Sequence, residues 1–218
     1  MTLTIRVATD AVIMTVKDGE LAVLLIQMKK KPFTGQWALP GGLLEEGETS
    51  EGAARRILAA QTGVAKVYLE QLATFDALKR DPLGRALSVA YYALLPTPEV
   101  ELRTTEKYSD VRWWPVSKLP KLAYDHDAIL RAAISRLKAR MGYTNIVWSL
   151  LPEIFTLNRL QATYETILGK KLDKRNFRKK LLSLNLLRST GKKTKGGAFR
   201  PAELYRFRSK QLSFIDVL

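Results

Sequence analysis

The sequence predicts an α+β protein in two parts: a mixed strand-and-helix domain over residues 1–141, then a smaller unit over 142–218 made of helices and a final hairpin. Three observations lead there. β-branched, strand-like runs separated by turn residues fill the first part. Two stretches of helical periodicity interrupt them, at about 49–62 and 125–140. After Gly142 the composition turns basic: 16 Lys+Arg stand against 5 Asp+Glu, whereas the preceding 141 residues hold 20 against 16.

In order along the chain, residues 4–15 and 21–27 read as strands joined through Lys17-Asp18-Gly19-Glu20, a hairpin turn. Lys31-Pro32-Phe33-Thr34-Gly35 is a loop, and Thr49 or Ser50 caps a helix that runs to Thr62 and is stopped by Gly63. Residues 67–75 and 87–95 are further strands flanking the turn-rich 79–85 segment, and 111–114 is a short strand before Pro115. The 125–140 helix carries Ile129, Ala132, Ala133, Ile134 and Leu137 on its apolar face, and no Ser/Pro-rich linker follows, so a helix over 124–141 is expected to join the halves stiffly. Beyond it, 145–155 and 157–168 read as helices, Asp173 caps a strongly basic helix over 174–184, and strands at 187–190 and 202–207 flank the basic hairpin 191–197. Helix, helix, basic helix, basic hairpin is the order of a winged helix-turn-helix.

Composition excludes much. With no cysteine and a single histidine, His126, there is no thiolate or His-cluster metal site and no cysteine nucleophile. His126 opens a helix without an evident partner, which suits a packed or capping residue better than an acid/base. No apolar run could span a bilayer and the start MTLTIRVATD lacks signal-peptide architecture, so a cytoplasmic protein is expected, with no membrane partner. A net charge of +15, concentrated in the last third, calls for a polyanion. The basic helix supplies Lys174, Arg175, Asn176, Arg178 and Lys179 to a major groove, and Lys192, Lys193 and Lys195 on the hairpin suit a neighbouring groove or backbone. RNA ranks lower, because single-strand readers use aromatic platforms that are not evident among these residues.

The first domain carries the more specific motif. Gly42, Glu48, Arg56, Leu58, Gly63 and Val64 fall in the register G-x5-E-x7-R-E-U-x-E-E-x-G-U, preceded by Trp37-x-x-Pro40-Gly41. This resembles the Nudix box. In that family the glutamates at i, i+3 and i+4 of one helix face ligate magnesium and clamp a diphosphate. Here those positions are Ile57, Ala60 and Gln61, none of them a carboxylate. The resemblance therefore implies an α/β/α sandwich with the loop glycines and a Glu48–Arg56 ion pair retained, no catalytic residue, no metal and no required cofactor. Glu45, Glu46 and Glu51 read as exposed acids rather than replacement ligands.

Both halves together are similar to the Nudix-related transcriptional regulators of the NrtR family, through Arg80-Asp81-Pro82-x-Gly84-Arg85, Asn176-Phe177-Arg178 and Arg200-Pro201-Ala202-x-x-Tyr205. That resemblance implies a homodimeric repressor of NAD-cofactor genes on a palindromic operator in double-stranded DNA, controlled by ADP-ribose or a related NAD metabolite. Lys29, Lys30, Trp37, Arg80 and Arg85 are candidate ligand contacts, because a diphosphate wants cations and an adenine wants an aromatic face. Two alternatives stay open: an active Nudix nucleoside-diphosphate hydrolase with an appended nucleic-acid domain, and a sugar-utilisation regulator of the same architecture.

Overall fold

Two residues, Asp18 and Gly19, reverse the chain between β1 (Arg6–Lys17) and β2 (Glu20–Met28), both with positive φ, 51° and 79°. That is the backbone of a tight hairpin turn whose twist matches the strands it joins. The structure is a computed structural model that describes residues 4–64, 66–195, 201–215 and 217. Next come β3 (Trp37–Ala38), β4 (Gly41–Leu43), α1 (Ser50–Thr62), β5 (Tyr68–Phe75), β6 (Ala86–Leu94), β7 (Tyr108–Pro115) and α2 (His126–Tyr143). The strands form one mixed sheet in the order β3-β2-β1-β6-β5, with β4 also paired to β1 and β7 to β2. β1 is its spine, parallel to β6 from Arg6↔Ala86 to Met14↔Leu94 and antiparallel to β2 and β4.

Alternation along β1 sorts the core into two layers. Ala11 and Ile13 face α1, packing with Ile57, Leu58, Ala93 and Leu95. Val12 and Met14 face α2, packing with Tyr92, Leu94, Ile129, Ala133 and Leu137. Helices on both faces of the sheet make an α/β/α sandwich, as the box resemblance implied. Thr49 caps α1 by accepting a hydrogen bond from the Gly52 N–H, and Gly63 ends it at φ 67°.

The smaller unit contains β8 (Phe155–Thr156), α3 (Leu157–Leu168), α4 (Lys174–Ser183), β9 (Leu187–Lys193) and β10 (Glu203–Phe207). One expectation fails. Residues 145–155 form no α-helix but a single 3₁₀ turn, Ile146–Leu150, followed by irregular chain that leads into β8. Pro152 lacks an N–H and clashes with a helical residue before it, so Leu151 sits at φ −119°, ψ 147°. Phe155 then pairs with Tyr205 and Thr156 with Leu204, which makes a three-stranded sheet, β8-β10-β9. Thr156 goes on to cap α3. The strand β9 is longer than expected and includes Lys192 and Lys193, while Gly196, Gly197 and Arg200 lie outside the described residues.

The apolar core runs unbroken from the sheet across α2 into the smaller unit, through Met141, Ile146, Leu150, Leu160, Tyr164 and Phe177. The junction is also bolted by polar contacts. Glu70 on β5 accepts hydrogen bonds from Arg136 (2.8 Å) and Arg140 (2.9 Å) of α2, from Tyr92 (2.8 Å) and from Tyr68. Tyr68 in turn meets the edge of Trp148 in the 3₁₀ turn. The C-terminal segment returns to the same place: Asn145 binds Gln211 and Ser213, Ile215 donates to Tyr143 O and Val217 to Gly142 O.

Burial alone would raise the Glu70 pKa, but the bonds from Tyr68, Arg140, Tyr92 and Arg136 outweigh it, and the folded value lies below that of a free glutamate. A carboxylate depressed on folding contributes stability that is fully present above its unfolded pKa of about 4.3 and is lost as pH falls through the folded value. Thermal melts between neutral pH and pH 3 should therefore show a steeper acid decline for the native chain than for Glu70→Gln. Parallel declines would mean that Glu70 titrates alike in the folded and unfolded chains.

Candidate functional site

Two surfaces bring chemistry-bearing side chains together. The first is a cleft of about 280 Å³ where the start of β1, the ends of β2 and β3, the Gly41-Gly42 pair of β4 and the start of α2 converge. Its floor is apolar, from Ile26, Met28, Leu39 and Leu43, and its walls carry Tyr108, Tyr124, Arg6, Lys30 and Lys107. Backbone and side chain approach closely here: a Cβ on Gly41 would collide with Asp10 Oδ1, so no larger residue fits while Asp10 stays in place. Tyr108 donates to Gly41 O (2.9 Å), which fixes the opposite wall.

Beneath the cleft lies a buried charge network. Arg80 makes a two-pronged contact with Asp125 (3.0 and 2.8 Å) and a third bond to Asp10 (3.2 Å), with only 4% of its side chain exposed. Burial pulls its pKa down, but Asp125 and Asp10 more than restore it, so Arg80 stays charged. His126 accepts a hydrogen bond from the Leu39 N–H at Nδ1 (2.9 Å), which puts its proton on Nε2, 3.6 Å from Asp10 Oδ1. Complete burial lowers its pKa despite Asp10 and Asp125, so the ring is neutral. His126 is a packed residue, stacked on Tyr124.

The five sequence candidates do not all meet. Lys30 is on the cleft wall and Arg80 reaches the cleft from beneath, already held by two carboxylates. Lys29 is exposed but does not line the cleft. Trp37 packs edge-on against Trp114 under the Arg112 guanidinium, away from it. Arg85 donates to the carbonyls of Asp76 and Ala77 and ties up its own loop. Conversely Arg6, Lys107, Tyr108 and Tyr124 line the cleft and had no local sequence signal: they come from three separate segments. Among the described residues Lys30 and Lys107 form no ion pair, whereas Arg6 is bound to Asp81 (3.0 Å).

At the positions where the Nudix box has its metal ligands, Ile57 is buried in the α1-facing core and Ala60 is exposed. Gln61 is buried with its side-chain oxygen lacking a hydrogen-bond partner. This set does not fit a hard cation, and no group of three or more potential ligands occurs among the described residues. The structural part of the motif is intact: Arg56 binds Glu48 through two bonds of 2.8 Å and reaches Glu45 at 3.3 Å.

The second surface is the basic face of the smaller unit. Asp173 caps α4 through the Asn176 N–H (2.7 Å), and Phe177 and Leu181 turn inward, with Phe177 edge-on to Tyr164. That leaves Lys174, Arg175, Asn176 and Lys179 exposed together. Arg178 differs: it is half-buried and bonded to Asn158 of α3. Lys192 and Lys193 end β9, with Lys193 opposite Glu203, and Lys195 follows; all three are exposed.

Comparison with known proteins fits both halves. Residues 4–135 match the NUDIX domain family and residues 147–207 the NrtR DNA-binding winged helix domain. The ADPR responsive transcriptional repressor NtrR of Acinetobacter baylyi is 37% identical over 209 residues, which cover 94% of this chain and 83% of that protein. The chain belongs to the NrtR family. A crystal structure of Shewanella oneidensis NrtR complexed with a 27mer DNA superposes with a TM-score of 0.82 at 37% identity, over 93% of each chain. The NUDIX domain of the same NrtR, complexed with ADP ribose, aligns at a TM-score of 0.57 and 37% identity over 62% of this chain and 90% of that one. In NrtR terms the sandwich is the Nudix half, and α3, α4 and the β8-β10-β9 sheet are the winged helix half.

Proposed function

We propose that the chain is a cytoplasmic DNA-binding repressor of NAD-cofactor genes, relieved by ADP-ribose or a related NAD metabolite, in which residues 1–141 sense the metabolite and 142–218 hold the DNA. The observation that carries this reading is one continuous core joining a nucleotide-sized cleft without a metal-ligand set to an exposed basic helix. In the cleft, Lys30 and Lys107 neutralise the diphosphate while Tyr108, Tyr124 and the apolar floor take the nucleoside. On the DNA, α4 enters the major groove and Lys192, Lys193 and Lys195 hold flanking phosphates. A homodimer on a palindromic operator supplies the contacts one module lacks.

A gel shift on the DNA upstream of the chain's own gene tests the whole reading: a retarded band, released by ADP-ribose, is expected. No retarded band would overturn it. ADP-ribose should also raise the melting temperature, because a ligand that binds only the folded state stabilises it. Lys107→Ala or Lys30→Ala should weaken that ligand by about tenfold, the loss of one charge-assisted hydrogen bond. A calorimetric titration in which both variants bind as the native chain does would move the site elsewhere. With Ile57, Ala60 and Gln61 on α1, no magnesium-dependent hydrolysis of ADP-ribose is expected; turnover by pure protein, abolished by EDTA, would restore the hydrolase reading.

A further inference from the structure

The outer face of the β8-β10-β9 sheet holds an arrangement that the proposed function leaves unused. Arg188 on β9 and Arg206 on β10 are directly opposite each other in register, both exposed. Facing residues of an antiparallel pair have Cβ atoms about 4.5–5.5 Å apart, and like charges there destabilise the sheet. Arg208 and Lys210 extend the same patch. Together they line a groove of about 340 Å³ with Trp148, Pro152, Phe207 and one carboxylate, Glu153.

None of the four cations is in an ion pair among the described residues. Arg208 spends only its Nε, on Leu187 O (3.1 Å). Side chains alternate along β10: Tyr205 shares a depression with Arg178 of α4, and Arg206 points to the other side. The groove is therefore separate from the α4 surface. A lone exposed arginine needs no explanation, but facing arginines with two more cations in a concave site concentrate positive potential that a single dianion can share. Guanidinium forks match phosphate oxygens two at a time.

We infer that this groove is a second anion site, taking one phosphate group between the Arg188 and Arg206 guanidiniums. The phosphate comes either from a free phosphorylated ligand or from a nucleic-acid backbone running behind the recognition helix. Trp148 forms one wall and also touches Tyr68 of the larger domain, so an occupied groove sits at the joint between the halves.

Inorganic pyrophosphate titrated into full-length protein, observed at the tryptophan indole N–H resonances, should shift Trp148 in a saturable way in the native chain. At ten times Kd the melting temperature should rise by about 3–6 °C. Arg188→Gln combined with Arg206→Gln should abolish the Trp148 shift and, in a Lys30→Ala, Lys107→Ala background that silences the cleft, the melting-temperature rise as well, and Glu153→Gln should tighten binding by removing the one opposing charge. In the second arm, binding to a duplex of arbitrary sequence is followed against salt. If backbone phosphate is the occupant, the double variant flattens the log–log slope by about 0.9 per protomer, the share of one phosphate. A pyrophosphate response with an unchanged slope identifies a free ligand, and a changed slope without that response identifies DNA. If the Trp148 resonance of the native chain does not move and the slope is unchanged, the inference is wrong. Arg188→Lys with Arg206→Lys, which keeps the charge and loses the forks, serves if the glutamine pair fails to fold.

Discussion

Between 50 and 200 mM salt the affinity of the proposed dimer for its operator should fall by about 10³–10⁵, as expected for about 6–10 phosphate contacts. The size of that effect follows from where the charge lies. Half of the 16 basic residues after Gly142 lie on α4 or around the end of β9, and Phe177 and Leu181 claim the inner face of α4. Lys192→Ala or Lys193→Ala should weaken binding to every sequence and flatten the slope by about one unit per phosphate lost. Arg175→Ala or Asn176→Ala should act differently, costing about 1–3 kcal/mol and relaxing sequence preference if the side chain is bidentate to a base. Arg178 is not the equal of these, because its guanidinium is already engaged by Asn158. A competition assay across operator variants at several salt concentrations separates the two classes. Full-strength operator binding by a chain neutralised on α4 and β9 would remove the DNA assignment from this face.

Replacing Arg80 should be the most damaging change in the sensing half. Its guanidinium bridges Asp10 of β1 and Asp125 at the start of α2, with 4% of the side chain exposed. Arg80→Met would leave two carboxylates facing each other without their cation. Breaking one side of a buried pair costs about 3–5 kcal/mol, far more than the pair itself is worth against an apolar substitute. For a chain of this size that corresponds to a drop in melting temperature of roughly 6–20 °C. Adding Asp10→Asn to Arg80→Met should recover part of the loss, since the orphaned charge next to His126 is then gone. A melting temperature within a degree or two of the native value would show that the network tolerates solvent, and that Arg80 is free to contact ligand instead.

Arg80 also shows where sequence reading stops. As a cation in a Pro/Gly-rich loop it was a reasonable partner for a diphosphate, and nothing local reveals that residues 70 positions earlier and 45 positions later already hold it. Trp37 is the same case: an aromatic beside a glycine loop, claimed by Trp114 from across the sheet. Lys107, Tyr108 and Tyr124 reach the cleft only because β7 pairs with β2 and the chain re-enters before α2. Sites assembled from distant segments leave no spacing to read.

Short-range physics, by contrast, was written plainly. The Asp18-Gly19 turn, the Thr49 and Asp173 caps, the stop at Gly63 and the inward Phe177 each depend on a few neighbouring residues and appear where their types demand. The absence of carboxylates at Ile57, Ala60 and Gln61 is equally a matter of spacing on one helix. The failed helix at 145–155 lies between these extremes. Its apolar pattern suits a helix, and Pro152 argued against it locally, but the decision came from β10, which offered Phe155 and Thr156 a strand to pair with. By itself the sequence determined both fold types, the basic face of α4 and the absence of carboxylates at 57, 60 and 61, because those rest on local periodicity, caps and charge. Tertiary structure alone decided which cations stay free for a ligand and which are consumed as buried ion pairs, because that depends on which distant carboxylates the packed sheet brings within hydrogen-bond reach.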